Sequence, residues 1–155
     1  MVFADCTPIF LYDKEKNIIG NIHSGWQGTL NKIIKQAIIE LKNNYKCNPK
    51  DIICAIGPTI RKCHFEVDED VEEKFVKAFE NYKKEEFIEE KIIHGKKKYN
   101  IDTVYLNKKM MLEMGIKDEN IIDSKICTVD CKNLFHSYRA ENEMAGRATA
   151  IICLK

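Results

Sequence analysis

The chain has 155 residues, of which 45% are hydrophobic and 32% charged. That length fits a single domain burying about 70% of the surface its unfolded form exposes, and the composition excludes a disordered chain. Twenty-five Lys and Arg against twenty-four Asp and Glu leave a net charge of +1, which gives no electrostatic case for nucleic acid or an anionic membrane as the main partner. No apolar run approaches the roughly 20 residues that span a bilayer. The opening MVFADC has neither a basic region nor an apolar signal core. The seven cysteines, at positions 6, 47, 54, 63, 127, 131 and 153, form no CxxC pair and no disulfide framework. They read as reduced thiols of a cytoplasmic protein, most of them small core residues.

In chain order, Ile9 to Tyr12 and Ile18 to Ile22 predict two strands about the charged turn Asp13 to Asn17. The glycine-punctuated loop HSGWQG follows. A helix is predicted from Thr29 to Asn44, because Leu30, Ile33, Ile34, Ala37, Ile38 and Leu41 recur at helical spacing. Asn48-Pro49 breaks it. Ile52 to Ile56 is nearly all apolar, as in a buried central strand, and Gly57-Pro58 ends it. A second helix fits 68 to 82, with acidic residues in its first turn and Val71, Phe75, Ala78, Phe79 and Tyr82 inward. Lys91 to Asn100 predicts a hairpin turning at His94-Gly95. A third helix fits 102 to 114, with Asp102 as N-cap and Gly115 past its end. Further strands are predicted near 121 to 122, at 126 to 129 and at 148 to 154. Strands and three helices without strict alternation indicate an α+β fold, a mixed β-sheet core flanked by those helices.

Three segments can carry chemistry. A hairpin about the charged turn sets Tyr12 near Ile18 and Cys6 opposite His23 or Ser24, while Gly25 and Gly28 leave the backbone room. Cys6 and His23 could be a thiolate and its base, two ligands of a metal such as zinc, or a buried Cys beside a capping His. Two donors alone are fewer than the three a catalytic zinc takes. The second segment, Ile56 to Val67, ends a buried strand in Gly-Pro and holds Cys63, His64 and Glu66; a structural turn is its simpler reading. The third, Cys127 to Ala148, carries His136, Ser137, Tyr138, Arg139 and Arg147. An Arg there suits an anionic ligand through its planar fork, or a surface salt bridge. His94 and the Lys runs at 83–84 and 96–98 read as solvated.

Taken together, Ala4-Asp5-Cys6-Thr7-Pro8, His23-Ser24-Gly25-Trp26-Gln27-Gly28, Ile56-Gly57-Pro58-Thr59-Ile60 with Cys63, Glu66 and Val67, Leu112 with Gly115, Cys127-Thr128, and Phe135, Ser137, Arg139, Gly146-Arg147 resemble the laccase-domain family. That family is also named multicopper polyphenol oxidoreductase and is associated with purine nucleoside phosphorylase activity and peptidoglycan editing. The match is ordered and covers nearly the whole chain. Gln27 stands where the family usually has Arg, Ala140-Glu141 replaces Arg-Asp, and His64 occupies a position that is often Cys.

The resemblance implies a fold similar to deamidating bacterial toxins and a metal, usually zinc, held by one Cys and two His. Cys6 and His23 carry over as metal ligands and catalytic residues, and Arg139 and Ser137 as substrate-binding residues. Copper is the less favoured metal, since multicopper chemistry needs more than four scattered His. The implied reactions are phosphorolysis of purine nucleosides, adenosine deamination and methylthioadenosine cleavage, with a purine nucleoside and phosphate as partners. The second His of the family lies upstream of ADC. The chain therefore reads as a single laccase-like domain truncated at its N-terminus, with Met1 to Ala4 a strand with an exposed or abnormally paired edge, weak zinc binding and little turnover. A Cys6/His23 thiol hydrolase, or an inactive ligand-binding fragment, are the alternatives.

Overall fold

The computed structural model describes residues 1–155. Its centre is a mixed four-stranded sheet in the order β3-β2-β4-β8, built from β2 (Thr7–Asp13), β3 (Ile18–Ser24), β4 (Ile52–Ile56) and β8 (Ile121–Asp123). β2 runs antiparallel to both β3 and β4, and β4 runs parallel to β8. The apolar run at 52–56 is thus an interior strand, with Ile52, Cys54 and Ile56 buried on one face. A three-stranded antiparallel sheet, β5-β7-β6, comprises β5 (Glu66–Val67), β6 (Ile88–Ile93) and β7 (Lys96–Ile101). Its hairpin turns at His94 and Gly95, both at positive φ (51° and 75°), the geometry that tightens a two-residue turn. A third, two-stranded sheet pairs β1 (Val2–Phe3) with β9 (Ala148–Thr149).

The helices are α1 (Trp26–Leu30), α2 (Ile33–Tyr45), α3 (Glu69–Ala78), α4 (Lys84–Phe87), α5 (Thr103–Glu113) and α6 (Tyr138–Glu141). The helix expected over 29–44 is two helices. The chain breaks at Lys32, which adopts left-handed backbone (φ 54°), and α1 starts earlier, at Trp26. The helix expected over 68–82 stops at Ala78; Phe79 has left helical geometry yet stays in the core with Phe75 and Phe87. The third helix matches expectation closely. The Asp102 carboxylate accepts from the Tyr105 N–H at 2.8 Å, and Gly115 (φ 91°) turns the chain away. Ile34, Ile38 and Leu41 of α2 and Leu106, Met110 and Met111 of α5 pack with Ile9, Leu11 and Ile52 in one core.

Two strand expectations fail. Residues 126–129 form only an isolated parallel bridge, Thr59 to Cys127. Of 148–154, only Ala148–Thr149 is a strand, and Ile151 is 76% exposed. An apolar run alone does not supply a pairing partner. Residues 1–4 contribute the short β1, which is paired to β9 and extended by a hydrogen bond from the Met1 amino group to the Ala150 carbonyl at 3.1 Å.

Candidate functional site

The end of the β2/β3 hairpin, the loop into α1 and the segment 138–147 enclose a cavity of about 500 Å³, within the range typical of small-molecule sites. Cys6, His23, Trp26, Arg139 and Arg147 line it together with an apolar wall that includes Phe65 and Val71. The hairpin register pairs Thr7 with Ser24, one residue from the expected alignment, and still brings Cys6 and His23 to one place. Both flank Gly25. A Cβ on that glycine would lie 3.0 Å from Cys6 Sγ and 3.7 Å from His23 Nε2. The absent side chain therefore leaves open the space between thiol and imidazole.

A buried polar network fixes this loop. The Ser24 hydroxyl donates to Asn107 Oδ1 (3.1 Å). Asn107 Nδ2 donates to the Thr103 carbonyl (2.8 Å) and to Thr29 Oγ1 (3.2 Å), and Thr29 donates on to the Gly25 carbonyl (3.1 Å). Asn107 and Thr29 are fully buried, so each polar atom needs its partner. The role of Asn107 was not visible in the sequence, where it is one polar residue on a helix.

Asp5 ties the opposite wall. Its backbone is left-handed (φ 70°), which turns the carboxylate inward. Oδ1 accepts from the Thr128 hydroxyl (2.6 Å) and Oδ2 from the Arg139 backbone N–H (2.7 Å). Its carbonyl accepts from the Thr59 hydroxyl (2.7 Å) and the Ile60 N–H (2.9 Å). One residue thus joins positions 5, 59, 128 and 139. Ser137 is fully buried; its hydroxyl accepts from the Ala140 N–H (3.2 Å) as the cap of α6. It sits behind Arg139 and off the cavity lining. Arg139 Nη1 donates to the His64 carbonyl (2.8 Å), and Arg147 Nη1 to the carbonyls of Ala145 and Gly146 (2.8 and 2.9 Å). Each guanidinium has five N–H donors, which leaves others for a ligand. Arg147, one of the two arginines of the third candidate segment, is thus a second lining cation beside Arg139.

Burial, and secondarily the Asp5 charge, push the Cys6 thiol up, with Arg147 partly opposing them. A thiol held protonated is a poor free nucleophile. Thiol and imidazole are donors that suit zinc, and the gap at Gly25 gives a metal room between them. No third His, Cys, Asp or Glu side chain gathers with the pair; the one group of three or more such side chains, Cys63, His64, Cys127 and Asp130, lies off the cavity lining. His94, as expected, is an exposed turn residue.

The model of a family described as multi-copper polyphenol oxidoreductase laccase matches residues 1–155. The chain belongs to this laccase family. It is 34% identical over 161 residues to a purine nucleoside phosphorylase of Clostridium acetobutylicum, covering 98% of this chain and 60% of that protein. It is 31% identical over 158 residues to the purine nucleoside phosphorylase YlmD of Bacillus subtilis, covering 100% of this chain and 54% of YlmD. Among solved structures it superposes on the hypothetical protein YfiH of Bacillus licheniformis with a TM-score of 0.84 and 29% identity, over 94% of this chain and 53% of that one. YlmD of Geobacillus stearothermophilus gives 0.81 and 28%, with the same coverage. The chain thus spans between half and two thirds of the length of these laccase-family relatives. The expected α+β family fold is the one observed. None of its helices is long and apolar enough to cross a membrane.

Proposed function

We propose that the chain carries the nucleoside site of a purine nucleoside phosphorylase. The observation that carries this reading is the composition of the cavity: aromatic and apolar walls beside two arginines, in a chain whose relatives bear that name. Trp26 and Phe65 offer flat apolar surface to a purine. Arg139 and Arg147 hold phosphate, whose attack at the ribose C1′ forms the new C–O bond as the C–N bond to the base breaks. Holding and orienting that anion converts a bimolecular encounter into a positioned one, and the guanidinium forks offset its charge. Ser137 acts by fixing the α6 turn that presents Arg139. Methylthioadenosine is cleaved by the same displacement, with its methylthio group on the apolar wall.

Cys6 and His23 are the residues that would hold a metal in this cavity, as two members of a larger ligand set. Zinc there would supply a water of pKa about 7, the chemistry adenosine deamination calls for. Half-burial, which pushes the Cys6 thiol up and away from its thiolate form, argues against the thiol-hydrolase alternative.

The test measures release of hypoxanthine from inosine with phosphate, and of ammonia from adenosine, with zinc supplied. Cys6→Ala and His23→Ala should each abolish both reactions. Arg139→Ala should slow phosphorolysis more than deamination, since deamination brings no phosphate into the site. Full activity in Cys6→Ala, equal slowing of both reactions in Arg139→Ala, or failure of the wild-type chain to bind inosine in a titration would overturn the reading.

A further inference from the structure

A second set of donors stands apart from the cavity. Cys63 and His64 lie on the segment that follows β4, and Cys127 and Asp130 on the turn that follows β8. The parallel β4/β8 pairing continues past both strands through the Thr59–Cys127 bridge, with Thr59 N–H donating to the Ile126 carbonyl (3.2 Å) and Thr128 N–H to the Thr59 carbonyl (3.1 Å). Two donor pairs more than sixty residues apart in sequence are thereby set face to face.

The distances describe a coordination shell. The two sulfurs are 3.9 Å apart; His64 Nδ1 lies 3.1 Å from Cys63 Sγ and 3.5 Å from Cys127 Sγ; Asp130 Oδ2 lies 3.9 Å from Cys63 Sγ. One ligand atom from each residue falls within 4.8 Å of the others. A tetrahedral ion with metal–sulfur bonds of about 2.3 Å and a metal–nitrogen bond of about 2.0 Å separates its sulfurs by about 3.8 Å and sulfur from nitrogen by about 3.5 Å. The sulfur–sulfur distance and the Cys127 sulfur–nitrogen distance match that figure, and the Cys63 sulfur–nitrogen distance falls about 0.4 Å short of it. The sulfurs are far outside the roughly 2.05 Å of a disulfide.

We propose that Cys63, His64, Cys127 and Asp130 bind one zinc ion. Two thiolates, one imidazole and one carboxylate are the donor types zinc takes, and four protein ligands close the shell, which makes the site structural. Binding releases the two thiol protons to solvent, while His64 coordinates as the neutral ring through Nδ1. None of the four lines the cavity, and the proposal does not rest on the nucleoside reading. The two regions are nonetheless linked, because the His64 carbonyl is the acceptor of Arg139 Nη1 and Phe65 is a cavity wall. A zinc here pins the backbone against which Arg139 is braced.

The experiment loads the reduced 155-residue chain with Zn²⁺ or Co²⁺, removes loose ions by desalting, and measures retained metal and the cobalt absorption spectrum. Wild type should retain one tightly held ion and show tetrahedral cobalt bands with thiolate-to-cobalt charge transfer. Cys6→Ser should keep that spectrum. Cys63→Ser should lose part of the charge-transfer band. Asp130→Asn, at an exposed side chain that the fold does not need, should weaken zinc binding by about tenfold or more, the scale on which even outer partners of a metal act. Three results would overturn the proposal. One is no retained metal in wild type, and another is a Cys63–Cys127 disulfide that persists with excess zinc. The third is a cobalt spectrum lost in Cys6→Ser but unchanged in Cys63→Ser and Asp130→Asn.

Discussion

Substitutions at Asp5 separate hydrogen-bond geometry from charge. The carboxylate is buried and accepts two bonds, from the Thr128 hydroxyl and the Arg139 N–H. Bonds to an ionised group contribute roughly 1.5–3 kcal/mol each. Asp5→Ala deletes both, strands a buried hydroxyl and a half-buried N–H, and puts alanine at a φ of 70°, where the left-handed backbone costs it roughly 1 kcal/mol. The expected loss is about 4 kcal/mol. Asp5→Asn keeps the shape: its oxygen accepts from Arg139 N–H, and its amide donates to the Thr128 oxygen once that hydroxyl turns. Asn also tolerates the left-handed region, so the loss falls to about 1–2 kcal/mol. Asp5→Gly relieves the backbone but not the bonds and falls between, at about 3 kcal/mol. Equilibrium unfolding in urea reads these differences, followed by the fluorescence of Trp26, the single tryptophan, which sits in the cavity wall. If Asp5→Asn costs as much as Asp5→Ala, charge rather than geometry holds this junction. If Asp5→Ala costs under about 1 kcal/mol, the hydrogen-bond argument itself fails.

Gly25→Ala should fill the gap between Cys6 and His23 while costing under about 1 kcal/mol of stability, since its backbone (φ −70°) is open to any residue. A nucleoside titration on the folded variant should show weakened binding, and unchanged affinity would remove the gap from the site. Asn107→Ala should destabilise by about 2–4 kcal/mol, because it removes buried hydrogen bonds to Ser24, Thr29 and the Thr103 carbonyl and leaves the two hydroxyls only each other and the Gly25 carbonyl; thermal unfolding checks it. Acid stability should depend on Asp123. Burial pushes its carboxyl up, but the two Arg61 hydrogen bonds, the Lys125 N–H and the neighbouring cations outweigh it, leaving the group below its ordinary value. A depressed folded value contributes stability that is present above the unfolded value, near pH 3.9, and is lost as pH falls through the folded one. Asp123→Asn should therefore flatten the pH dependence of unfolding below about pH 4, and an unaltered acid limb would contradict the assignment.

What the sequence showed was set by local signals. The Asp102 cap, the His94-Gly95 turn and the all-apolar β4 each lie within a few residues, and each appears where the pattern puts it. The same local logic misled at Lys32, where the apolar spacing of 30 to 41 runs through a residue that leaves the helix. It fails again at 148–154, where apolar character predicts a strand but only Ala148–Thr149 finds a partner. Cys6, His23 and Arg139 were legible as motif residues, and they meet in one cavity. Arg147 was legible as a motif residue too, but Asn107 was not, because its role depends on tertiary neighbours. The Cys63, His64, Cys127 and Asp130 cluster was the least accessible. Its spacing is set by a parallel strand pairing, which leaves no short-range period in the chain.

The pairing of β1 with β9 carries a consequence for the order in which the molecule assembles. One side of the cavity is drawn from residues 2–6 and the facing side from residues 138–147. During synthesis at about 5–20 residues per second, Phe3 waits on the order of ten seconds for its partner Ala148 to emerge. Through that interval the β2/β3 hairpin can already present Cys6 beside His23, but on an open surface. Closure of the longest loop comes last and carries the entropic cost of bringing distant segments together. Hairpin-stabilising changes should thus leave the rate of cavity formation nearly untouched, and changes at the β1/β9 seam should control it.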